Sequence, residues 1–373
     1  MLYELLFPLR TAFSPFRVFQ YISFRAAGAA VTALLVAFVV GPRIIRWLQS
    51  MQVHQVVREG TPDTHAGKGT TPTMGGIIIL AAILLPTILW MRLNNTYVWI
   101  ALLTTVWMGA IGFLDDYLKL RQKRAGLKNE GLVERWKLAG QVTLGLALGI
   151  YLWKVPLNTL PGASTTVPFF KNVGYPLGVI GFMVLTYFVI VGTSNAVNLT
   201  DGLDGLAAGS STFCFGVLSI IGYWQFRHSF SQNLYNLPAA LDLALVAVAL
   251  VGGCLGFLWW NAAPARIIMG DTGSLSIGAS LAALCALMNL DLLLVIIGGL
   301  FVVETVSVML QVFSFRLFGR RIFKIAPIHH HFEMLGWPET TILIRFWILA
   351  GLLAALGLGL FYGDFVKIAQ VIQ

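Results

Sequence analysis

Asn195-Ala-Val-Asn198-Leu-Thr-Asp201-Gly-Leu-Asp204-Gly205 is the stretch on which the reading of the chain turns. An apolar run, 179–191, leads into it and a second, 206–223, leads out. Two carboxylates, two carboxamides and two glycines therefore stand between segments composed for lipid. An aspartate inside a bilayer costs a few kcal/mol on insertion scales, so the stretch belongs at a membrane face or in a wet cavity. A plain connecting loop is the simpler alternative, but it needs neither four polar side chains of this kind nor such brevity. The glycines permit turns and close approach to a ligand.

The rest of the chain has the same character. Of 373 residues 57% are hydrophobic and 11% charged, with a mean hydropathy of +0.80. Soluble domains carry about twice that charged fraction. An all-α, polytopic membrane protein follows, as one integral domain over 1–373. At about 20 apolar residues per crossing, ten spans are expected, near 24–48, 74–92, 96–114, 138–154, 174–193, 205–224, 240–260, 273–289, 292–315 and 341–362. The segment 1–25 is interrupted by Pro8 and Pro15 and lacks a cleavage signature, so it is not read as a signal peptide. Cys214, Cys254 and Cys285 lie in apolar runs and imply no disulfide framework.

Of the 25 Lys and Arg residues, 17 fall in the connections after the odd-numbered spans and their flanks, and eight elsewhere. The net charge of +9 is thus explained by positive-inside topology, without nucleic acid. The same bias places the odd connections in the cytoplasm and both termini outside. Every polar cluster of interest then shares the cytoplasmic face.

Those clusters are few. Lys68-Gly-Thr-Thr-Pro72-Thr-Met-Gly75-Gly76 offers a cation and free amides just before a span, a setting for phosphate or for a flexible turn. Asp115-Asp116 closes an apolar run, with Lys119 one turn on and a basic stretch reaching Lys137. Paired carboxylates beside phosphate suit Mg²⁺. A solvated helix end accounts for them poorly, because the helix dipole disfavours acids at its C-terminus. Asp271 stands between Gly270 and Gly273, immediately before a span, and Asn261 opens the same connection. His329, His330 and His331 are consecutive and cannot share one helical face, which argues against a His-only zinc site. Glu304 and Gln311 are polar groups at membrane depth, functional or simply interhelical.

Taken with Thr71-Pro-Thr-Met-Gly-Gly, Gly112-Phe-Leu-Asp-Asp, Met269-Gly-Asp-Thr-Gly-Ser and Pro327-Ile-His-His-His-Phe-Glu, the opening stretch makes five motifs in order, each beside its span. In these the chain resembles the polyprenyl-phosphate N-acetylhexosamine-1-phosphate transferases, over nearly its whole length. The last motif points to the branch that acts on muramoyl-pentapeptide. The resemblance implies transfer of phospho-MurNAc-pentapeptide from UDP-MurNAc-pentapeptide to undecaprenyl phosphate, with release of UMP, at a bacterial inner membrane. It implies Mg²⁺, with Asp271 as the foremost ligand and Asp115 and Asp116 beside it. Catalytic positions are then Asp115, Asp116, Asp271 and His330. Substrate-binding positions are Lys68, Lys119, Asn195, Asn198, Asp201, Asp204, Asn261, Gln311, His329 and His331. Asp115 is a general base or a nucleophile, and both stay open. A UDP-GlcNAc transferase of the same superfamily and a transporter are the competing readings. A transporter's coupling carboxylates belong near mid-membrane, and here all but Glu304 sit at one face. The oligomeric state stays open, a homodimer included. The ninth span is expected to bend near Gly298-Gly299 and to line a groove for the prenyl chain.

Overall fold

The computed structural model describes residues 1–51, 71–126, 131–155, 163–168, 174–228 and 237–371, the last eight of these without their side chains. The chain begins with α1 (Leu2–Leu6) and two 3₁₀ turns (Phe7–Thr11 and Ser14–Gln20), then α2 (Ile22–Ser50), α3 (Gly76–Trp90), α4 (Thr96–Arg124) and α5 (Glu134–Lys154). A short hairpin of β1 (Ser164–Thr166) and β2 (Gly174–Pro176) follows. It pairs antiparallel, with Thr165 opposite Tyr175, and departs from an all-helical expectation. Then come α6 (Gly178–Thr200), α7 (Leu206–Arg227), α8 (Ala240–Asn261), α9 (Gly270–Leu287), α10 (Leu294–Ile297), α11 (Gly299–Phe318), α12 (Ile328–Glu333) and α13 (Glu339–Val371).

Each expected span falls on a helix. Among the described residues eight helices, α2, α4, α6, α7, α8, α9, α11 and α13, are long and apolar enough to cross a membrane. Of the other two, α3 is shorter, with 15 residues, and α5 opens on Glu134, Arg135 and Lys137.

Helix α9 is the axis of the bundle. Every residue in 272–287 is buried, and the segment is rich in glycine, serine and alanine. Small side chains let neighbouring backbones approach closely, the main source of helix association where lipid supplies no hydrophobic contrast. Accordingly α4, α6, α3 and α7 pack around it. Thr105 of α4 and Ser280 of α9 share a buried hydrogen bond of 2.7 Å. At Gly112 of α4, a Cβ would lie 2.2 Å from the Asp271 carbonyl oxygen, and at Gly76 of α3, 2.1 Å from the Gly273 nitrogen. Only glycine fits either crossing.

Length places the chemistry. Asn95 caps α4, accepting the Tyr97 N–H at 3.0 Å. At 1.5 Å per residue, a bilayer core of roughly 30 Å is spent after about 20 residues, which is where Asp115 and Asp116 stand. The helix then continues to Arg124, with Arg121, Lys123 and Arg124 in its last turn. The sequence reading that ended this helix at the carboxylates is thereby corrected. They lie two turns inside it, so the dipole does not oppose them.

The opposite end is closed by a polar knot that sequence reading did not single out. Arg25 and Asp242, both buried, pair at 2.8 Å. Arg25 also donates to the Trp90 carbonyl, and Asn95 and the Arg92 amide donate to Asp242. Near that end the chain reverses at Asn289, with φ +56°. Buried Asp291 accepts from Thr165 of the hairpin at 3.3 Å, and burial pushes its carboxyl up to about 6.

The expected break in the ninth span is present, since α10 ends at Ile297 and α11 restarts at Gly299. Beside it lies an apolar cavity of about 270 Å³ between α6 and the α10–α11 break, lined by Phe188, Val189, Leu294, Val295, Phe301 and Val302 among others.

Candidate active site

The site begins at the N-terminus of α9. Gly270 takes φ +70°, and the first turn that follows leaves amides without intrahelical partners. Asp116, reaching across from α4, receives them. Its Oδ1 accepts the Asp271 N–H at 3.2 Å, and its Oδ2 accepts the Thr272 N–H at 2.9 Å and the Thr272 hydroxyl at 2.7 Å. A carboxylate facing a helix N-terminus is favoured by the dipole as well as by these bonds. Both Asp116 oxygens are thus engaged in holding α9 to α4.

With its backbone held, the Asp271 side chain turns outward into a ring of donors. Asn198, at the end of α6, donates to Oδ1 at 2.8 Å and to the Ser274 hydroxyl at 2.8 Å. Lys137 Nζ lies 2.5 Å and Lys119 Nζ 3.4 Å from Oδ2. Lys119 also meets Asp115 Oδ2 at 2.5 Å, one turn back along α4. The other Asp115 oxygen accepts the Leu132 N–H at 2.8 Å. Carboxylate oxygens of Asp115, Asp116 and Asp271 lie within 4.8 Å of one another. At that separation two unit charges repel by about 3.5 kcal/mol at an effective dielectric constant of 20. Two ammonium groups offset part of this. The donors are all hard oxygens, a set that suits Mg²⁺ better than a softer ion. Asp116 is engaged by the backbone and hydroxyl at the start of α9, whereas Asp271 and Asp115 face the two lysines.

The glycine-rich first connection arrives at the same place. Gly75 and Gly76 donate to the Ile268 and Met269 carbonyls at 2.8 and 2.9 Å, and Ile268 N–H donates to the Pro72 carbonyl at 2.8 Å. Lys68 lies outside the described residues.

The other expected residues form a second layer. Asn195 exchanges hydrogen bonds with Gln141 of α5, its Nδ2 donating at 3.1 Å. One helical turn past Asn198 comes the 201–205 turn with Asp201 and Asp204. Asp204 accepts the Ala265 N–H at 3.1 Å. Asn261, expected to touch substrate, is buried beneath the turn with both polar atoms taken. Its Oδ1 accepts the Gly205 N–H at 2.9 Å, and its Nδ2 donates to the Ile267 carbonyl at 2.9 Å. It holds the loop in place. Gln311 likewise fastens a loop, accepting the Ile322 and Phe323 amides and donating to the Phe323 carbonyl.

The three histidines are wired differently. His329 is buried and faces Glu304. His330 Nδ1 lies 2.5 Å from Glu333 Oε2, which turns its Nε2 away. His331 Nδ1 accepts the Lys324 N–H at 3.1 Å, so its proton resides on Nε2, a fixed donor. Among the described residues the acidic cluster is made of Asp115, Asp116 and Asp271 alone.

Sequence reading passed over Lys137, Gln141 and Thr272. Lys137 lay in a stretch holding seven Lys and Arg between 115 and 137, where no spacing distinguishes one cation from the next. Its position in the first turn of α5 is shared with Arg135, so no sequence signal separated it.

Residues 98–289 match the family model described as glycosyl transferase family 4. A phospho-N-acetylmuramoyl-pentapeptide-transferase of Gemmatimonas aurantiaca is 55% identical over 375 aligned residues, covering 96% of this chain and 98% of that protein. Family match, near-complete coverage and five motifs gathered at one end of a helical bundle agree, and the chain belongs to glycosyl transferase family 4, among the phospho-N-acetylmuramoyl-pentapeptide-transferases.

Proposed function

We propose that the acidic end of the bundle transfers phospho-MurNAc-pentapeptide from UDP-MurNAc-pentapeptide to undecaprenyl phosphate, releasing UMP, with Mg²⁺ held by Asp271 and Asp115. The observation that carries this is the juxtaposition of Asp115, Asp116 and Asp271 with Lys119 and Lys137, on a bundle that also holds an apolar groove.

The reaction brings an anionic lipid phosphate against an anionic diphosphate, so repulsion is the main obstacle. Lys119 and Lys137 supply fixed positive charge where the phosphates meet. When bound, Mg²⁺ neutralises phosphate oxygens and steadies the departing UMP. Asp115 takes the remaining proton of the lipid phosphate, whose second pKa is about 6 in water. The 201–205 turn, with Asp201 and Asp204, receives the nucleotide. His331 offers its Nε2–H to an anionic oxygen, and His330 orients the donor beside it. The prenyl chain occupies the groove between α6 and the α10–α11 break.

The same proposal includes ten crossings of the bacterial inner membrane, both termini periplasmic and the site cytoplasmic. It is supported by the Lys and Arg distribution and by the meeting of all the motifs at one end. The test is UMP release by purified protein, with and without undecaprenyl phosphate and Mg²⁺. Release that requires both supports the reading. Equal or faster release from UDP-GlcNAc would refute the assigned donor, and metal-independent release would refute the metal.

A further inference from the structure

One buried constellation is left unused by this chemistry. Glu304 of α11 and His329 of α12 are both fully buried, and Glu304 Oε2 lies 3.0 Å from His329 Nδ1. Burying two such groups is costly unless each finds a partner. Each has found only half of one. Among the described residues, Glu304 Oε1 and His329 Nε2 have no hydrogen-bond partner. Such an arrangement calls for an explanation beyond packing.

The explanation lies in what Nε2 faces. A Cβ at Gly202 would stand 2.2 Å from His329 Nε2, so the imidazole edge abuts the backbone of the 201–205 turn. Glycine alone admits that contact. With Nδ1 anchored by Glu304, the ring plane is fixed and its edge sets how far the turn can settle. The turn is clamped elsewhere too: Glu339 accepts the Asp204 N–H at 3.0 Å, and Leu203 and Leu206 pack with Leu300, Ile342 and Phe346. His330 packs against His329 with the rings tilted by 58° and their centroids 4.2 Å apart. The dyad therefore touches both the turn and the histidine beside it.

We infer that Glu304 is a positioning residue: through His329 it fixes the height of the 201–205 turn and so governs affinity for the nucleotide donor, without taking part in the transfer. This rests on the reading of that turn as the nucleotide contact. His329 accordingly parts from its two neighbours as a buried spacer.

Four full-length variants test it: Glu304→Ala, Glu304→Gln, Gly202→Ala and the double Glu304→Ala/Gly202→Ala. Glu304→Ala should raise KM for the donor about tenfold, with kcat and the lipid KM changed less than about threefold. Glu304→Gln should stay within about threefold throughout, because its carbonyl accepts the same Nδ1–H. Gly202→Ala should mimic Glu304→Ala, and the double should be no worse than the poorer single. Loss of kcat at unchanged donor KM, additive effects in the double, or equal damage in Glu304→Gln and Glu304→Ala would each overturn the inference. Should Glu304→Ala fail to fold, Glu304→Gln and Gly202→Ala still decide the matter through the KM split. Failure of the wild type to release UMP would sink the reading of the reaction instead. The clamp would then be judged by melting temperature of the same four proteins, where additive shifts overturn it.

Discussion

Gly112→Ala places one methyl group where α4 meets the start of α9. The added Cβ would lie 2.2 Å from the Asp271 carbonyl oxygen, 2.4 Å from its carbon and 2.6 Å from the Thr272 nitrogen. These are backbone atoms and cannot rotate aside. Ordinary contact begins near 3.4 Å, so the two helices must part by about 1 Å. Overpacking of this kind typically costs 1–3 kcal/mol. The same displacement stretches the three hydrogen bonds from α9 to Asp116, now 2.7 to 3.2 Å, at about 1 kcal/mol each. The expected destabilisation is about 4–6 kcal/mol. Misplacement of Asp271 relative to Asp115 by about 1 Å should lower UMP release on the order of 100-fold. The assay is thermal melting in detergent alongside initial-rate UMP release. Gly216→Ala is the control, since a Cβ there meets nothing within 4 Å and the change should be neutral or stabilising by up to about 1 kcal/mol. Gly112→Ala with wild-type melting and a rate within about threefold would refute the claim that backbone contact at this crossing sets the carboxylate geometry.

Lys137→Met removes the cation 2.5 Å from Asp271 and should lower kcat more than tenfold while leaving the fold intact; circular dichroism with steady-state kinetics checks both. If Asp115 is a base, Asp115→Asn should regain part of its rate as pH rises from about 6 to 9, because the lipid phosphate then ionises unaided. A flat profile, with lipid-independent UMP release by wild type, would favour a nucleophile. Burial raises the Asp291 carboxyl from 3.8 to about 6, so the folded state holds its proton more tightly than the unfolded chain. Its contribution is present below about pH 4 and lost as pH rises to about 6. Asp291→Asn should then stabilise the protein by about 2–3 kcal/mol at pH 7.5 and hardly at pH 4, read as a melting difference that shrinks on acidification.

What was legible in the sequence was whatever depends on composition or local spacing. The apolar runs fell on helices, the ninth on two of them, and Asp115, Lys119, Asn198 and Asp271 stood out because charge and amide are rare in such a chain. Glycine before a span marked Gly76 as part of a phosphate setting or a flexible turn and Gly270 as part of a turn, whereas the close crossing at Gly76 came only from the structure. Partnership was not legible. Nothing in the sequence ties Glu304 to His329, or Arg25 to Asp242, since each pair is joined only by the three-dimensional packing of distant helices. That Asn261 and Gln311 hydrogen-bond neighbouring loops was likewise not legible, because a polar side chain near a site reads identically whether it faces substrate or a neighbouring amide. The length of α4 was misjudged because its last two turns are basic, and hydropathy ends where the membrane does even when the helix continues.

The crossing of α4 with α9 has a mechanical consequence. Asp115, Asp116 and Asp271 come from two helices that touch through glycine and are tied by three hydrogen bonds, so the acidic cluster has no hinge of its own. Compliance must reside where packing is sparse, and α11, freed by the interruption at Gly298 and largely bare along its outer face, is the element that offers it. On the proposed reaction, room for a bulky lipid acceptor is expected on that flank rather than at the carboxylates.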